Sequence, residues 1–138
     1  MASSYIVATT DKDIINTLFA KDFDRRNSLV LEEKPSVEPQ SGIGSADITS
    51  YTSETVTVKT NSSSPKLLFL SDVFDPGWKA FVDGKESRIY RADYDFRAVV
   101  APAGAHTVEF RYAPDEFRWG IMLSIAGLAG LLYMLKRI

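Results

Sequence analysis

Hydrophobic and polar residues alternate along much of the chain, and this pattern predicts a set of short β-strands. The clearest alternation is in residues 54–61, where Val56 and Val58 share one face. Residues 66–73 contain a continuous apolar run, which is typical of a central strand buried on both faces. The same criteria predict further strands at residues 4–10, 28–32, 46–52, 77–82, 87–92, 95–101 and 106–113.

Two tight connections are predicted to join neighbouring strands as hairpins. Asp83-Gly84 is a strong hairpin signal, because both central residues of a type I′ turn need positive φ. This turn predicts that residues 77–82 pair with residues 87–92. Residues 95–101 and 106–113 are likewise expected to pair around the short connection between them, which contains proline and glycine.

The N-terminal part adds one short helix to these strands. Thr10 followed by Asp13 resembles a capping box with Asp in place of Glu, and it predicts a helix over residues 11–20. Residues 35–47, with two prolines and two glycines, are predicted to form a loop. Many short strands separated by frequent turns are typical of sandwiches. Residues 1–116 are therefore predicted to form an antiparallel β-sandwich, jelly-roll or immunoglobulin-like, with one short N-terminal helix.

The C-terminal end differs, because residues 119–135 contain no charged side chain. A helix of this length would span about 26 Å, slightly less than a hydrocarbon core of about 30 Å. Aromatic residues near its two ends are suited to a membrane interface; they are Phe117, Trp119 and Tyr133. Residues 117–138 are therefore predicted to form a transmembrane helix with a short basic end, and a buried core helix is the alternative.

Charges beside this segment predict its orientation. Lys136 and Arg137 directly follow the apolar stretch, so the C-terminus is expected in the cytoplasm and the sandwich outside it. The N-terminal residues lack the basic start and apolar run of a signal peptide. Two hypotheses reconcile these features. Either the chain is a tail-anchored protein facing the cytoplasm, or it is the end of a larger membrane protein, which we favour.

Composition narrows the classes of function. The 138 residues carry a formal net charge of −2 with acidic and basic side chains interspersed, so no partner nucleic acid is expected. The absence of cysteine excludes disulfides, thiol catalysis and thiolate zinc sites. The sequence has no glycine-rich phosphate loop and no serine-nucleophile motif, and we predict no cofactor.

Carboxylate pairs and the single histidine are the candidates for acid–base or metal chemistry. Asp72 and Asp75 lie three residues apart and Asp93 and Asp95 two apart, but each pair falls where a turn uses Asx side chains to bond the backbone. His106 has no adjacent nucleophile motif and no second histidine, so a triad or metal site lacks its parts. We therefore predict no catalytic and no metal-binding residue in this chain.

Aromatic and basic residues are interleaved between residues 88 and 97, and this stretch is the candidate for ligand binding. Such side chains can stack on sugar rings and hold phosphate groups, although the same composition suits an ordinary half-buried hairpin. The candidate binding residues are Trp78, Tyr90, Tyr94 and Arg97. For Trp78 a structural role is favoured, since alternation puts it on one face with Ala80 and Val82.

The joint order of several motifs resembles the C-terminal region of YfhO-type bacterial membrane proteins. The motifs are Gly77-Trp78 with Asp83-Gly84, the segment at residues 90–99, and Pro102-Ala103-Gly104 with His106 ahead of Phe110, Tyr112 and Pro114. Residues 11–33 are also similar, so the resemblance covers nearly the whole chain.

This resemblance implies a polytopic protein similar to clan-C glycosyltransferases, which use polyprenyl-phosphate-linked sugars at the outer face of the membrane. Members are implicated in decorating envelope polymers such as teichoic acids. The chain is then the non-catalytic, extracytoplasmic C-terminal portion of a bacterial membrane glycosyltransferase, whose catalytic carboxylate lies in an upstream multi-helix part. Implied partners are the membrane, that upstream part, and an envelope carbohydrate or polyprenyl-phosphate sugar. The alternative is a stand-alone, membrane-anchored module that binds carbohydrate or protein.

Overall fold

The computed structural model describes the backbone of residues 1–137 and the side chains of residues 1–114, 120–129 and 132–136. Ten strands and two helices follow one another along this part of the chain. The strands are β1 Ser4–Val7, β2 Ser28–Leu31, β3 Gly44–Tyr51, β4 Thr55–Ser62, β5 Lys66–Val73, β6 Trp78–Val82, β7 Lys85–Ser87, β8 Tyr90–Ala92, β9 Phe96–Ala101 and β10 Gly104–Tyr112. The helices are α1 Asp11–Leu18 and α2 Asp115–Arg137.

The strands form two five-stranded sheets. The first sheet has the order β1-β2-β8-β9-β5, and the second has the order β3-β4-β10-β6-β7. β1 and β2 pair in parallel, and the other pairs of described strands are antiparallel. A bridge between Ala2 and Leu67 joins the residues before β1 to β5, so the two edges of the first sheet approach each other.

The main core lies between the two sheets, where alternate residues of facing strands point inward. The first sheet contributes Leu68, Leu70, Val99 and Ala101, and the second contributes Val56, Val58, Ala80, Val108 and Phe110. A core made from the inner faces of two sheets is the defining feature of a sandwich.

The first sheet is also buried on its outer face. A second apolar cluster on that face includes Leu67, Ala98 and Tyr90. Successive residues of β5 and β9 therefore pack into different clusters, since side chains alternate across a strand. This double burial explains the continuous apolar runs in the sequence.

α1 begins as predicted and covers one end of the first sheet. The Thr10 hydroxyl accepts a hydrogen bond from Asp13 N at 3.2 Å and so caps the helix. Ile14 of α1 packs against Val30 of β2 in a third, smaller apolar cluster.

Of the two predicted hairpins, the first is confirmed in its turn but not in its second strand, and the other is wrong. β6 and β7 pair across Asp83 and Gly84, which have φ values of 51° and 80°. In contrast, β9 pairs with β5 and β8, whereas β10 pairs with β4 and β6 in the other sheet. The reason is burial: β9 needs cover on both faces, whereas β10 has many exposed positions. Of the predicted partner strand at residues 87–92, only Ser87 belongs to β7, whereas Tyr90–Ala92 form β8 in the other sheet.

α2 has 23 residues, and the prediction that it forms a transmembrane helix is wrong. Along the described part of the chain, no helix is both long and apolar enough to cross a membrane. Small, weakly apolar residues dilute its uncharged stretch, namely Gly120, Ser124, Ala126, Gly127, Ala129 and Gly130. Charged residues occupy the first and last turns of the helix, which shortens the apolar length further. The predicted fold class is corrected to a mainly β protein with two sheets, one short helix and a C-terminal helix.

Candidate functional site

Arg97 on β9 lies in the inter-sheet core although it is charged, with 1% of its surface exposed. The central carbon of its guanidinium lies 3.9 Å from the centre of the Trp78 ring and 5.5 Å from that of Phe110. Cation–π contact partly replaces the water that the guanidinium loses. Within the described residues, its Nε and Nη1 atoms have no hydrogen-bond partner.

A chain of hydrogen bonds connects this guanidinium to the surface. Arg97 Nη2 donates to Asp72 Oδ2 at 2.8 Å, and the Tyr51 hydroxyl lies 2.8 Å from both carboxylate oxygens of Asp72. Burial lowers the pKa of Arg97, and the charge of Asp72 opposes that shift. The hydrogen bond to Asp72 raises the pKa of Tyr51. Because Asp72 belongs to β5 and Tyr51 to β3, the contact joins the first sheet to the edge of the second.

Trp78 at the start of β6 is half-buried and packs against the inter-sheet core. Its ring contacts the guanidinium of Arg97 and lies 5.3 Å from the ring of Tyr112, centre to centre. Ala80 follows on the same face of β6 and is fully buried, as the alternation predicts. The contacts of Trp78 are therefore those of a core residue.

The four candidate binding residues do not share one surface. Trp78 and Arg97 contact each other inside the sandwich. Tyr90 is 2% exposed on the outer face of the first sheet, where its hydroxyl accepts a hydrogen bond from Ser36 N at 2.8 Å. Tyr94 is 39% exposed, and the Arg91 guanidinium lies 5.6 Å from the centre of its ring. Tyr94 is thus the most exposed of the four.

His106 has both ring nitrogens in hydrogen-bonding contacts. Nδ1 lies 2.6 Å from Asp83 Oδ2, and Nε2 lies 2.9 Å from the carbonyl oxygen of Ala103. The hydrogen bond to Asp83, followed by that to Ala103, raises the pKa of His106. Hydrogen bonds from His106 and from the backbone of Thr107 lower the pKa of Asp83. The pair fastens the β6–β7 turn to β10 and leaves no free ring nitrogen for acid–base chemistry.

The protein is expected to lose stability as pH rises above about 6.5, the ordinary pKa of histidine. Because folding raises the pKa of His106, its contribution is complete below the unfolded-state value and is lost as pH rises through the folded-state value. The contribution of Asp83 is present above its unfolded-state value and is lost only in acid, since folding lowers its pKa. Urea denaturation at pH 5.5 and pH 8.5 measures the difference. It should shrink in His106→Gln, and an unchanged difference would contradict this role.

The predicted carboxylate pairs serve the backbone and an ion pair. Asp75 Oδ1 accepts a hydrogen bond from Gly77 N at 2.7 Å, which is the expected turn contact. Asp93 Oδ1 accepts one from Val30 N at 2.8 Å, and burial raises its pKa. Asp72 instead binds Arg97. Among the described side chains, no three potential metal ligands converge.

Sequence analysis missed a buried lysine. Lys66 is 4% exposed and shares the inward face of β5 with Leu68 and Leu70. The alternation of side chains across a strand was a signal that could have found it.

The fold defines a structural class, and comparison with known proteins identifies the family. The fold is a two-sheet sandwich with a C-terminal helix, and its buried Arg97 forms an ion pair with Asp72. The profile of the family described as "Bacterial membrane protein YfhO" matches residues 40–124. The chain belongs to this family of bacterial membrane proteins.

One curated relative is "Uncharacterized protein YfhO" from Bacillus subtilis (strain 168), which is 24% identical over 119 residues. The match covers 83% of this chain but 14% of that protein, so the chain corresponds to a small part of its relative. No solved structure matches the chain.

Proposed function

We propose that this chain is the non-catalytic, extracytoplasmic portion of a larger bacterial membrane protein that transfers sugar from polyprenyl-phosphate-linked donors to cell-envelope polymers. The catalytic carboxylate then belongs to the multi-helix part of the longer protein, and the sandwich shapes or covers the acceptor side. Membership in the YfhO family carries this proposal.

Two further observations support it. The Bacillus subtilis relative is several times longer than the region matched, which leaves room for a separate catalytic part. In the sandwich, the groups suited to acid–base work hold the fold instead: His106 binds Asp83 and Ala103, and Asp72 binds Arg97 and Tyr51. A general acid or base needs an atom free to reach the substrate.

Transfer activity tests the assignment of roles. In membranes from cells lacking the longer protein, we expect no transfer of labelled sugar from a polyprenyl-phosphate donor to envelope polymer. Restoring the longer protein should restore transfer, whereas residues 1–138 alone should not. Transfer by the 138-residue chain alone would overturn the non-catalytic role. In the longer protein, Tyr94→Ala should weaken transfer without loss of folding, because Tyr94 is the candidate residue most accessible to a sugar.

The side of the membrane on which the sandwich lies can be tested in the same cells, because this sequence contains no cysteine that would react with the label. We expect Lys59→Cys, at an exposed position of β4, to react with a membrane-impermeant maleimide in intact cells. Ala98→Cys, at a fully buried position of β9, is the matched control and should stay unlabelled. Labelling of Lys59→Cys that requires permeabilised cells would place the sandwich in the cytoplasm.

A further inference from the structure

The inter-sheet core ends in polar residues near the turn between β4 and β5. Four of these residues are buried, namely Thr60, Ser62, Ser64 and Lys66. Backbone carbonyl groups accept hydrogen bonds from the three hydroxyls, so these side chains are satisfied within the fold. Lys66 is the charged member of the group.

The ammonium group of Lys66 has donors to spare. Among the described residues, Nζ donates one hydrogen bond, to the carbonyl oxygen of Gln40 at 3.2 Å. An ammonium has three N–H donors, so two remain for another acceptor. Across the described residues, Lys66 forms no ion pair with a carboxylate. A buried charge without a counter-charge is strongly unfavourable, and an anion is the natural complement.

A polar cavity of about 520 Å³ lies beside Lys66. Besides the lysine, its walls include Ser3, Asn27, Ser41, Gly42 and Gly44, and none of its described lining residues is acidic. Hydroxyl and amide groups can donate hydrogen bonds to oxygen atoms. Met1 completes the lining, and Asn27 Nδ2 already donates one hydrogen bond, to Asp24 Oδ2 at 2.8 Å, which leaves its second N–H for another acceptor. The lining therefore combines the positive charge of Lys66 with neutral donors.

Two glycines allow the backbone to approach Lys66 and the neighbouring serine hydroxyls closely. A side-chain carbon at Gly44 would lie 2.9 Å from Lys66 Cδ, and one at Gly42 would overlap the hydroxyls of Ser63 and Ser64. Gly42 also has a φ of 147°, which other residues rarely adopt. Larger residues at these positions would displace Lys66 or the hydroxyls beside it.

We propose that this cavity binds a phosphate group, held by the Lys66 ammonium and by the neutral donors of Ser3, Asn27 and Ser41. A phosphate presents several acceptor oxygens and negative charge to converging donors, and lysine binds it as a point charge. The group can belong to a lipid headgroup or to a soluble phosphate compound. This site goes beyond the proposed function and does not depend on it.

Titration of the full chain with inorganic phosphate in a neutral detergent tests the site. Sodium chloride at equal ionic strength is the control. We expect phosphate to cause saturable chemical-shift changes at the Lys66 side chain and at the amides of Gly42 and Gly44. Sodium chloride should not cause them. Lys66→Met should weaken binding about tenfold or more, because it removes the charge-assisted hydrogen bonds. Lys59→Met removes an exposed lysine of β4 and should leave the affinity unchanged.

Equal affinity in Lys66→Met and the unmodified protein would overturn the proposal, as would shifts that follow ionic strength. If Lys66→Met fails to fold, the titration of the unmodified protein tests the proposal by itself. Saturable chemical-shift changes centred away from Lys66 would then overturn the proposal. Phosphatidylcholine vesicles with and without phosphatidic acid then identify the source. If vesicle binding requires phosphatidic acid and free phosphate competes with it, the ligand is a lipid headgroup. Binding of free phosphate without vesicle binding indicates a soluble compound.

Discussion

Asp72→Ala is expected to lower the free energy of unfolding by about 3 kcal/mol, since removal of one partner leaves a buried charge uncompensated. Arg97 lies in the inter-sheet core, and its Nη2 donates a hydrogen bond to the Asp72 carboxylate at 2.8 Å. Two other guanidinium nitrogens already lack a partner among the described residues, so the substitution would leave all three without one. Urea denaturation at pH 7 measures the loss.

A double substitution separates the charge effect from other contacts of Asp72. Asp72→Ala combined with Arg97→Met should be more stable than Asp72→Ala alone, because Met fills similar space without a charge to desolvate. Tyr51→Phe is the control for the outer hydrogen bond and should cost about 1 kcal/mol or less. If the double variant is the less stable, the buried charge is not the cause of the loss.

Phe110→Ala is expected to lower the free energy of unfolding by about 4 kcal/mol, as large-to-small substitutions in cores do. Phe110 is fully buried near the C-terminal end of β10 and belongs to the cluster that both sheets form. The lost apolar contacts and the cavity left behind both contribute.

Phe19→Ala is the matched control, because it removes the same atoms from a ring that is 77% exposed. We expect it to change stability by about 0.5 kcal/mol or less. Urea denaturation of both variants measures the difference. Similar losses at the two positions would show that Phe110 does not lie in a packed core.

The sandwich was predictable because burial leaves a pattern in the sequence. β4 alternates since one of its faces is buried, and β5 is continuously apolar from Leu67 to Leu70 since both faces are covered. Sheet membership was not predictable for β9 and β10, which are neighbours in the chain but lie in different sheets. A pattern of burial does not identify the strand that supplies the backbone partners.

The candidate site was predictable only in part. The core contact of Trp78 follows from its alternation with Ala80. The ion pair of Asp72 was missed, although alternation places Asp72 on the inward face of β5 with Leu68 and Leu70. The pattern within one strand does not identify Arg97, on a strand 25 residues further along the chain, as its partner. For α2, counting uncharged residues ignored how weakly apolar many of them are.

The order of strands in the two sheets also determines when this chain can fold during synthesis. Half of the eight pairs of described strands join strands that are not consecutive in the chain: β2 pairs with β8, β5 with β9, β4 with β10 and β6 with β10. These pairs can form only after the later strand has been synthesised. Domains dominated by such distant contacts fold in about milliseconds to seconds. Ribosomes add about 5–20 residues per second, so the apolar β5 emerges well before the strands that cover it. Until Tyr112 has left the ribosome, this strand is a natural target for chaperones.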